Sequence, residues 1–264
     1  MIVLRKTHSP ALAALAGSAI LAIAGASSAA AQGPPATPPA APAAPAGPVS
    51  SPPVTLSRPT TPEKAVAMDG FIQRWLILEP IKSGGLTQNV VQAAVKKEMF
   101  PNQFTGVPKD GDKVNIDPQL VAPPLKRDQP AGEPVLTWHA VDTRNYNVNL
   151  YHYSIGLGKQ TSDVMFWVVT VINAPQEMKN VRLAIGSNAA SVWWLNDEEV
   201  VGIYGDRQAV VDDGVSKRIT LKKGANILRA VIVNGGGATD FCARFLDAND
   251  KPVKGITASI NAPK

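Results

Sequence analysis

Few side chains in this sequence are equipped for chemistry. Beyond the first 31 residues the only imidazoles are His139 and His152, within LTWHAV and NLYHYS. A serine hydrolase sets such a base against an activated nucleophile, and the strained G-x-S-x-G elbow that presents one is missing. An esterase built on another constellation would need a serine within hydrogen-bond reach of either histidine. Carboxylates for glycoside cleavage could come from Glu198, Glu199, Asp206, Asp212 or Asp213, but spacing in sequence does not set their separation in space. No catalytic residue is assigned on these grounds.

Metal chemistry has little to draw on. The sequence has no H-E-x-x-H, no pair of cysteines and no EF-hand loop, so no cofactor and no metal-ligating residue is expected. The run GDRQAVVDDG, residues 205–214, could hold a structural calcium ion through carboxylate and carbonyl oxygens, or simply turn the chain before SKRITL. Binding through aromatic faces is the remaining chemistry. In a strand, Trp193 and Trp194 must point to opposite faces, each beside an apolar neighbour: Leu195 for Trp193 and Val192 for Trp194. One should fill a core. The other must be covered by a helix or long loop, or stand exposed as a stacking surface. Tyr146 in RNYN and Tyr204 with Arg207 in IYGDR place aromatic and polar groups in short turns, so Tyr146, Trp193, Tyr204 and Arg207 are the candidate ligand-binding residues.

The elements that must position these residues are strands. VRLAIGSNAASVWWLND, residues 181–197, reads as an alternating strand, a Gly-Ser-Asn turn, a β-branched and aromatic strand and a second turn into EVVGIY. FIQRWLIL, VLTWHAV, VNLYHYSIG, MFWVVTVIN, SKRITL, NILRAVIVN and DFCARFLD are further strand candidates. MFWVVTVIN is apolar on both faces and so predicts a central strand, and NGGG predicts a hairpin turn. One short amphipathic helix is expected after Thr87, with Val90, Val91, Ala94, Val95 and Met99 at helical spacing. Residues 101–134, rich in Pro, Gly, Asp and Asn, predict a long loop with one short strand near residues 113–116. Short strands punctuated by turns argue for a mainly β fold, an antiparallel sandwich or barrel, over a βαβ fold.

Composition sets the boundaries. Residues 1–31 carry Arg5 and Lys6, an apolar stretch, then Ala29, Ala30 and Ala31, the layout of a signal peptide cleaved after Ala31. Residues 32–62 are Pro/Ala-rich and predict an extended, disordered linker, leaving residues 63–264 as the folded domain. The apolar stretch is too short and Ala/Gly-rich to read as a membrane span. Loss of the leader, which has two such cations and no acid, takes the formal charge from +5 to +3, too weak and too scattered to argue for nucleic acid. Cys242 is the only cysteine, and its place in FCARF predicts a buried strand thiol.

Several of these residues carry a resemblance. Trp194, Leu195 and Asn196, then Leu221, Lys223, Gly224, Asn226 and Leu228, then Phe241 and Arg244 resemble the strand-end and turn motifs of galactose-binding-like jelly-roll modules attached to bacterial glycoside hydrolases and acetyl xylan esterases. FIQRWLILEP is similar to the strand that leads into such modules, so the resemblance spans about residues 71–247. Asp197 stands where those modules have glycine, and Asn188 and Ala189 where they are often acidic. The resemblance implies an antiparallel jelly-roll β-sandwich and, in function, an exported non-catalytic carbohydrate-binding or accessory module, periplasmic or secreted, with an oligo- or polysaccharide as partner. The alternative is a structural or protein-interaction module of the same fold, and a third reading is the esterase above. An aromatic-lined concavity near Tyr146 and Tyr204 would favour the sugar, and a flat apolar patch the protein partner.

Overall fold

The computed structural model describes residues 56–126, 128–130 and 132–262. The expected signal peptide and most of the expected linker lie outside the described residues. In chain order the first strands are β1 (Leu56–Ser57), β2 (Glu63–Ala65), β3 (Arg74–Leu78), β4 (Ile81–Lys82), β5 (Lys113–Asn115), β6 (Val135–Thr143), β7 (Val148–Asn149) and β8 (Val164–Ala174). After them come β9 (Met178–Ser187), β10 (Ala190–Leu195), β11 (Glu198–Ile203), β12 (Gly214–Val215), β13 (Ile219–Leu221), β14 (Gly224–Asn234), β15 (Asp240–Leu246) and β16 (Thr257–Ser259). Two helices, α1 (Gln88–Lys96) and α2 (Leu150–Gly156), and a 3-10 turn at Pro118–Leu120 complete the set. The fold is mainly β and antiparallel, a sandwich of two sheets.

The large sheet runs β1-β6-β3-β8-β14-β10-β11, with β4 and β16 also on β8, β2 on β16 and β5 on β6. The small sheet runs β12-β9-β15-β7, with β13 also on β9. Period-2 geometry sends alternate residues of the large sheet to opposite faces, and both faces are apolar. Inward go Trp75, Ile77, Phe166, Val168, Trp193, Leu228 and Ala230, which meet Leu183, Ile185, Phe241 and Phe245 of the small sheet. Outward go Leu76, Leu78, Trp138, Trp167, Val169, Val192, Trp194 and Val231, which meet Val91 and Val95 of α1 and Met99, Phe100 and Phe104 of the following loop. β8, apolar on both faces apart from Thr170 and Asn173, is central, as its composition predicts, because it is covered on both sides.

Most turns in the C-terminal half carry the chain from one sheet to the other. The Gly186–Ala189 corner does so with Ala189 at φ +61°, and the NGGG segment links β14 to β15 of the other sheet instead of making the expected hairpin. Two connections stay within a sheet: β12 to β13, both on β9, and β10–β11, a true hairpin in which Asn196 and Asp197 both take positive φ, at +50° and +70°. Two of the motif asparagines fasten that hairpin. Asn196 Oδ1 accepts from Ile227 N at 2.9 Å and its Nδ2 donates to Asn226 Oδ1 at 3.0 Å, while Asn226 also bonds the backbone of Lys222 and Gly224.

Three expectations need correction. VNLYHYSIG is not one strand: after β7 the chain coils into α2, because Asn149 Oδ1 caps the helix by accepting from His152 N at 2.7 Å and Leu150, Tyr153 and Ser154 bury at helical spacing. The fold therefore has two short helices where one is expected. Phe71 and Ile72 join the small sheet, with Ile72 N donating to Ala243 O at 2.9 Å, before β3 enters the large one, so FIQRWLIL is split at the corner between sheets. Residues 56–62, expected as linker, belong to the fold: β1 pairs with β6, and the buried Arg74 donates to Thr61 O at 2.6 Å and to Asp142 Oδ1 at 2.8 Å.

Candidate functional site

The outer face of the large sheet is roofed by α1 and the irregular segment after it. Thr87 stands at the N-cap of α1, as expected, and Val91 and Val95 bury the helix's apolar stripe. Beyond its C-terminal end, Gln103 turns back: its Oε1 accepts from Met99 N at 2.8 Å and its Nε2 donates to Lys97 O at 3.1 Å, meeting carbonyl and amide groups that a helix end leaves unpaired. Phe100 then drops edge-on to Trp138 and Trp167, with ring centroids 6.2 and 5.8 Å away, and Phe104 sits edge-on to Trp167 and Trp194 at 5.5 Å each. Trp167 and Trp194 stack on each other at 5.7 Å.

Between this roof and the sheet lies a cavity of about 480 Å³ lined by Phe100, Asn102, Gln103, Asn115, Trp138 and Arg229, among others. Trp138 and Arg229 are each only 3% exposed. Arg229 lies within the otherwise apolar stretch LRAVIV of β14, where Nη2 donates to Gly106 O at 3.0 Å and so holds the roof. Among the described residues its guanidinium has no other hydrogen-bond acceptor and no carboxylate within ion-pair distance. Burial pushes its pKa down, and the charge of Asp197 partly restores it. The site thus joins aromatic edges, side-chain amides and one buried cation.

The sequence-predicted residues lie elsewhere. Trp193 is wholly buried in the inner core, edge-on to Trp75 and Phe241, with Nε1 donating to Ser191 Oγ at 2.9 Å; it is a packing residue and no ligand platform. Trp194, its partner, takes the covered outcome. Tyr146, 47% exposed, rests on Phe71 at 5.5 Å. Arg244 lies over the same Phe71 ring, 4.9 Å from its centroid, and pairs with Asp212, while Arg207 pairs with Asp213. Tyr146 and Arg207 thus sit in two separate sets of contacts, Tyr146–Phe71–Arg244–Asp212 and Arg207–Asp213. Tyr204 belongs to neither. Its hydroxyl meets Gln92 of α1, and its phenol pKa is raised by burial, opposed by the Gln92 hydrogen bond and reinforced by Glu199.

Of the carboxylates considered for calcium in residues 205–214, Asp212 and Asp213 are each paired with an arginine. Among the described residues no three His, Cys, Asp or Glu side chains gather as a metal site. Cys242 is buried, and its thiol is pushed up to about 12 by burial first and by Asp212 and Asp240 next. His139 Nε2 lies 3.3 Å from Glu79 Oε1, with Lys159 Nζ 3.2 Å from Glu79 Oε2, and His152 is on the outer turn of α2 beside Tyr151. Among the described residues no serine hydroxyl bonds either imidazole.

Sequence reasoning missed Trp138 and Arg229 as a pair. A signal existed: a lone arginine amid the apolar residues of a central strand needs a reason to be there.

No protein-family profile matches this sequence, and no curated protein does. Among solved structures, it is similar to a PA14 sugar-binding domain from an RTX adhesin, at TM-score 0.37 and 14% identity over 71% of this chain and 98% of that one. It is also similar to a β-glucosidase from Kluyveromyces marxianus in complex with glucose, at TM-score 0.32 and 19% identity, over 47% of this chain and 15% of that chain. Both likenesses are distant.

Proposed function

We propose that this chain is an exported, non-catalytic carbohydrate-binding module that receives its ligand in the cavity above the outer face of the large sheet. The observation that carries this reading is the lining of that cavity, which brings Phe100 and Trp138 together with Asn102 and Asn115. A sugar offers apolar C–H faces to rings and hydroxyls to amides, and a volume of 480 Å³ is suited to a small part of a saccharide chain. Export is supported by the leader-like layout of residues 1–31, and the Pro/Ala tract after it would serve as a spacer.

The test is calorimetric titration of the full chain with a panel of neutral and acidic oligosaccharides, repeated with Trp138→Ala. Saturable binding that weakens about tenfold or more in the variant, a loss of at least 1.4 kcal/mol, is the expected result. Absence of binding to every member of the panel would overturn the reading.

A protein-interaction role is favoured by one observation. Val210, Val211 and Val215 are 57%, 40% and 40% exposed beside the outer face of the small sheet. Self-association in sedimentation velocity that Val211→Asp abolishes would move the weight to this reading; a concentration-independent monomer would remove it.

A further inference from the structure

Resting on that binding reading, we propose that the cavity selects an acidic saccharide and that Arg229 receives its carboxylate. A guanidinium carries five N–H donors in a rigid fork that suits the two oxygens of a carboxylate. Arg229 is 3% exposed and spends one nitrogen on Gly106 O, 3.0 Å away. Its other nitrogens have no partner among the described residues and are not wholly shut off from solvent-sized space, and Arg229 is one of the residues that line the cavity.

A buried charge without a counter-charge is costly. Elsewhere in this chain the partly or wholly buried arginines meet that cost with acids: Arg74 with Asp142, Arg207 with Asp213 and Arg244 with Asp212. Arg229 has no such partner among the described residues. Asp197 acts on it through space from the β10–β11 turn, and Asp112 lines the same cavity but accepts from Lys109 N at 2.7 Å. Lys113, also in the lining, adds a second cation. The counter-charge that the site lacks is supplied by the ligand. A hexuronic acid residue carries it on C6, next to a ring whose hydroxyls face the amides of Asn102 and Asn115.

The experiment compares tetragalacturonate, its methyl ester and a neutral tetrasaccharide on the full chain by calorimetry, with Arg229→Gln and Arg229→Met as variants. The acid is expected to bind about tenfold or more tightly than the ester, the scale of one charge-assisted hydrogen bond. Its affinity should fall as pH is lowered through about 3.5, the range in which a sugar carboxylate of ordinary acidity protonates, while the ester's stays flat. Both variants should lose the preference, and Arg229→Met should melt at the same temperature as the parent or higher, since a buried unpaired charge is replaced by an apolar chain.

Equal binding of acid and ester by the parent would overturn the proposal and leave the carbohydrate reading standing. Binding of no saccharide at all would overturn both. The acid-against-ester comparison uses the unaltered protein, so a variant that fails to fold does not blunt it.

Discussion

The inner and outer faces of the large sheet grow from the same strands, and adjacent tryptophans of β10 report on each: Trp193 on the inside, Trp194 on the outside. Inside, the cover is another sheet, regular enough that rings and aliphatic chains interlock and both indole N–H groups find partners, Trp75 on Ile72 O and Trp193 on Ser191 Oγ. Outside, the cover is one helix of nine residues and a loop. That cover leaves Trp167 Nε1 buried without a partner among the described residues, admits the charge of Arg229 and borders an open cavity of about 480 Å³. A sheet over a sheet makes a dry core; a loop over a sheet makes a core with room in it. The ligand chemistry argued above belongs to the second kind.

The comparison can be broken at its strongest point first. Trp193→Ala removes a ring held by Trp75 and Phe241 in the tightly covered face, and a loss of about 4 kcal/mol in urea unfolding is expected, against about 3 kcal/mol for Trp194→Ala, whose loop cover can settle inward. Equal losses would mean that the two covers are equally rigid. A smaller effect is expected where a loop crosses the outside of the small sheet. A Cβ on Gly186 would come 2.1 Å from Val210 O. Gly186→Ala must therefore lift the segment of residues 206–213, at a cost of about 1–3 kcal/mol in the same assay. An unchanged midpoint would show that this segment lies loosely on the sheet.

The smallest effect concerns Glu79, at the margin between the outer cover and α2. Burial acts to raise its carboxyl pKa, but the hydrogen bond from His139 and the charge and hydrogen bond of Lys159 outweigh it and leave the group below its ordinary value. A carboxyl that is more acidic in the folded state contributes stability above its unfolded pKa of about 4.3, and that contribution fades as pH falls through the lower, folded value. Glu79→Gln should therefore flatten the acid limb of the melting-temperature profile below pH of about 4.5 while leaving its shape near neutrality unchanged. A parallel acid limb in parent and variant would dismiss the Glu79 cluster as a source of acid sensitivity.

The strands were legible in the sequence because β-branched and aromatic runs between turn residues carry a local signal. Their partners were not. Alternation says which residues share a face, but nothing in VRLAI or NILRAVIVN says that β9 and β14 belong to different sheets; that is decided by contacts far apart in the chain. The same gap explains NGGG, whose glycines suit a hairpin and a crossing equally. Helix α2 was hidden because L-Y-H-Y alternates in sequence while its burial at Leu150, Tyr153 and Ser154 follows a helical period. That Trp193 and Trp194 point to opposite faces was readable from the pleat alone; that both faces are covered was not. The cavity was not, since the Pro, Gly and Asn content of residues 101–115 predicts a loop without predicting its path.

The pairing of β2 with β16 has a mechanical consequence. Glu63 lies opposite Ser259 and Ala65 opposite Thr257, so the chain enters and leaves this ladder at the same end. Tension applied across residues 62 and 260 would load these backbone bonds one rung at a time, as a zipper is opened, and would not shear the three rungs together. β16 is also laddered to β8, from Thr257↔Asn173 to Ser259↔Val171, so the same pull would peel β16 from both neighbours rather than from β2 alone.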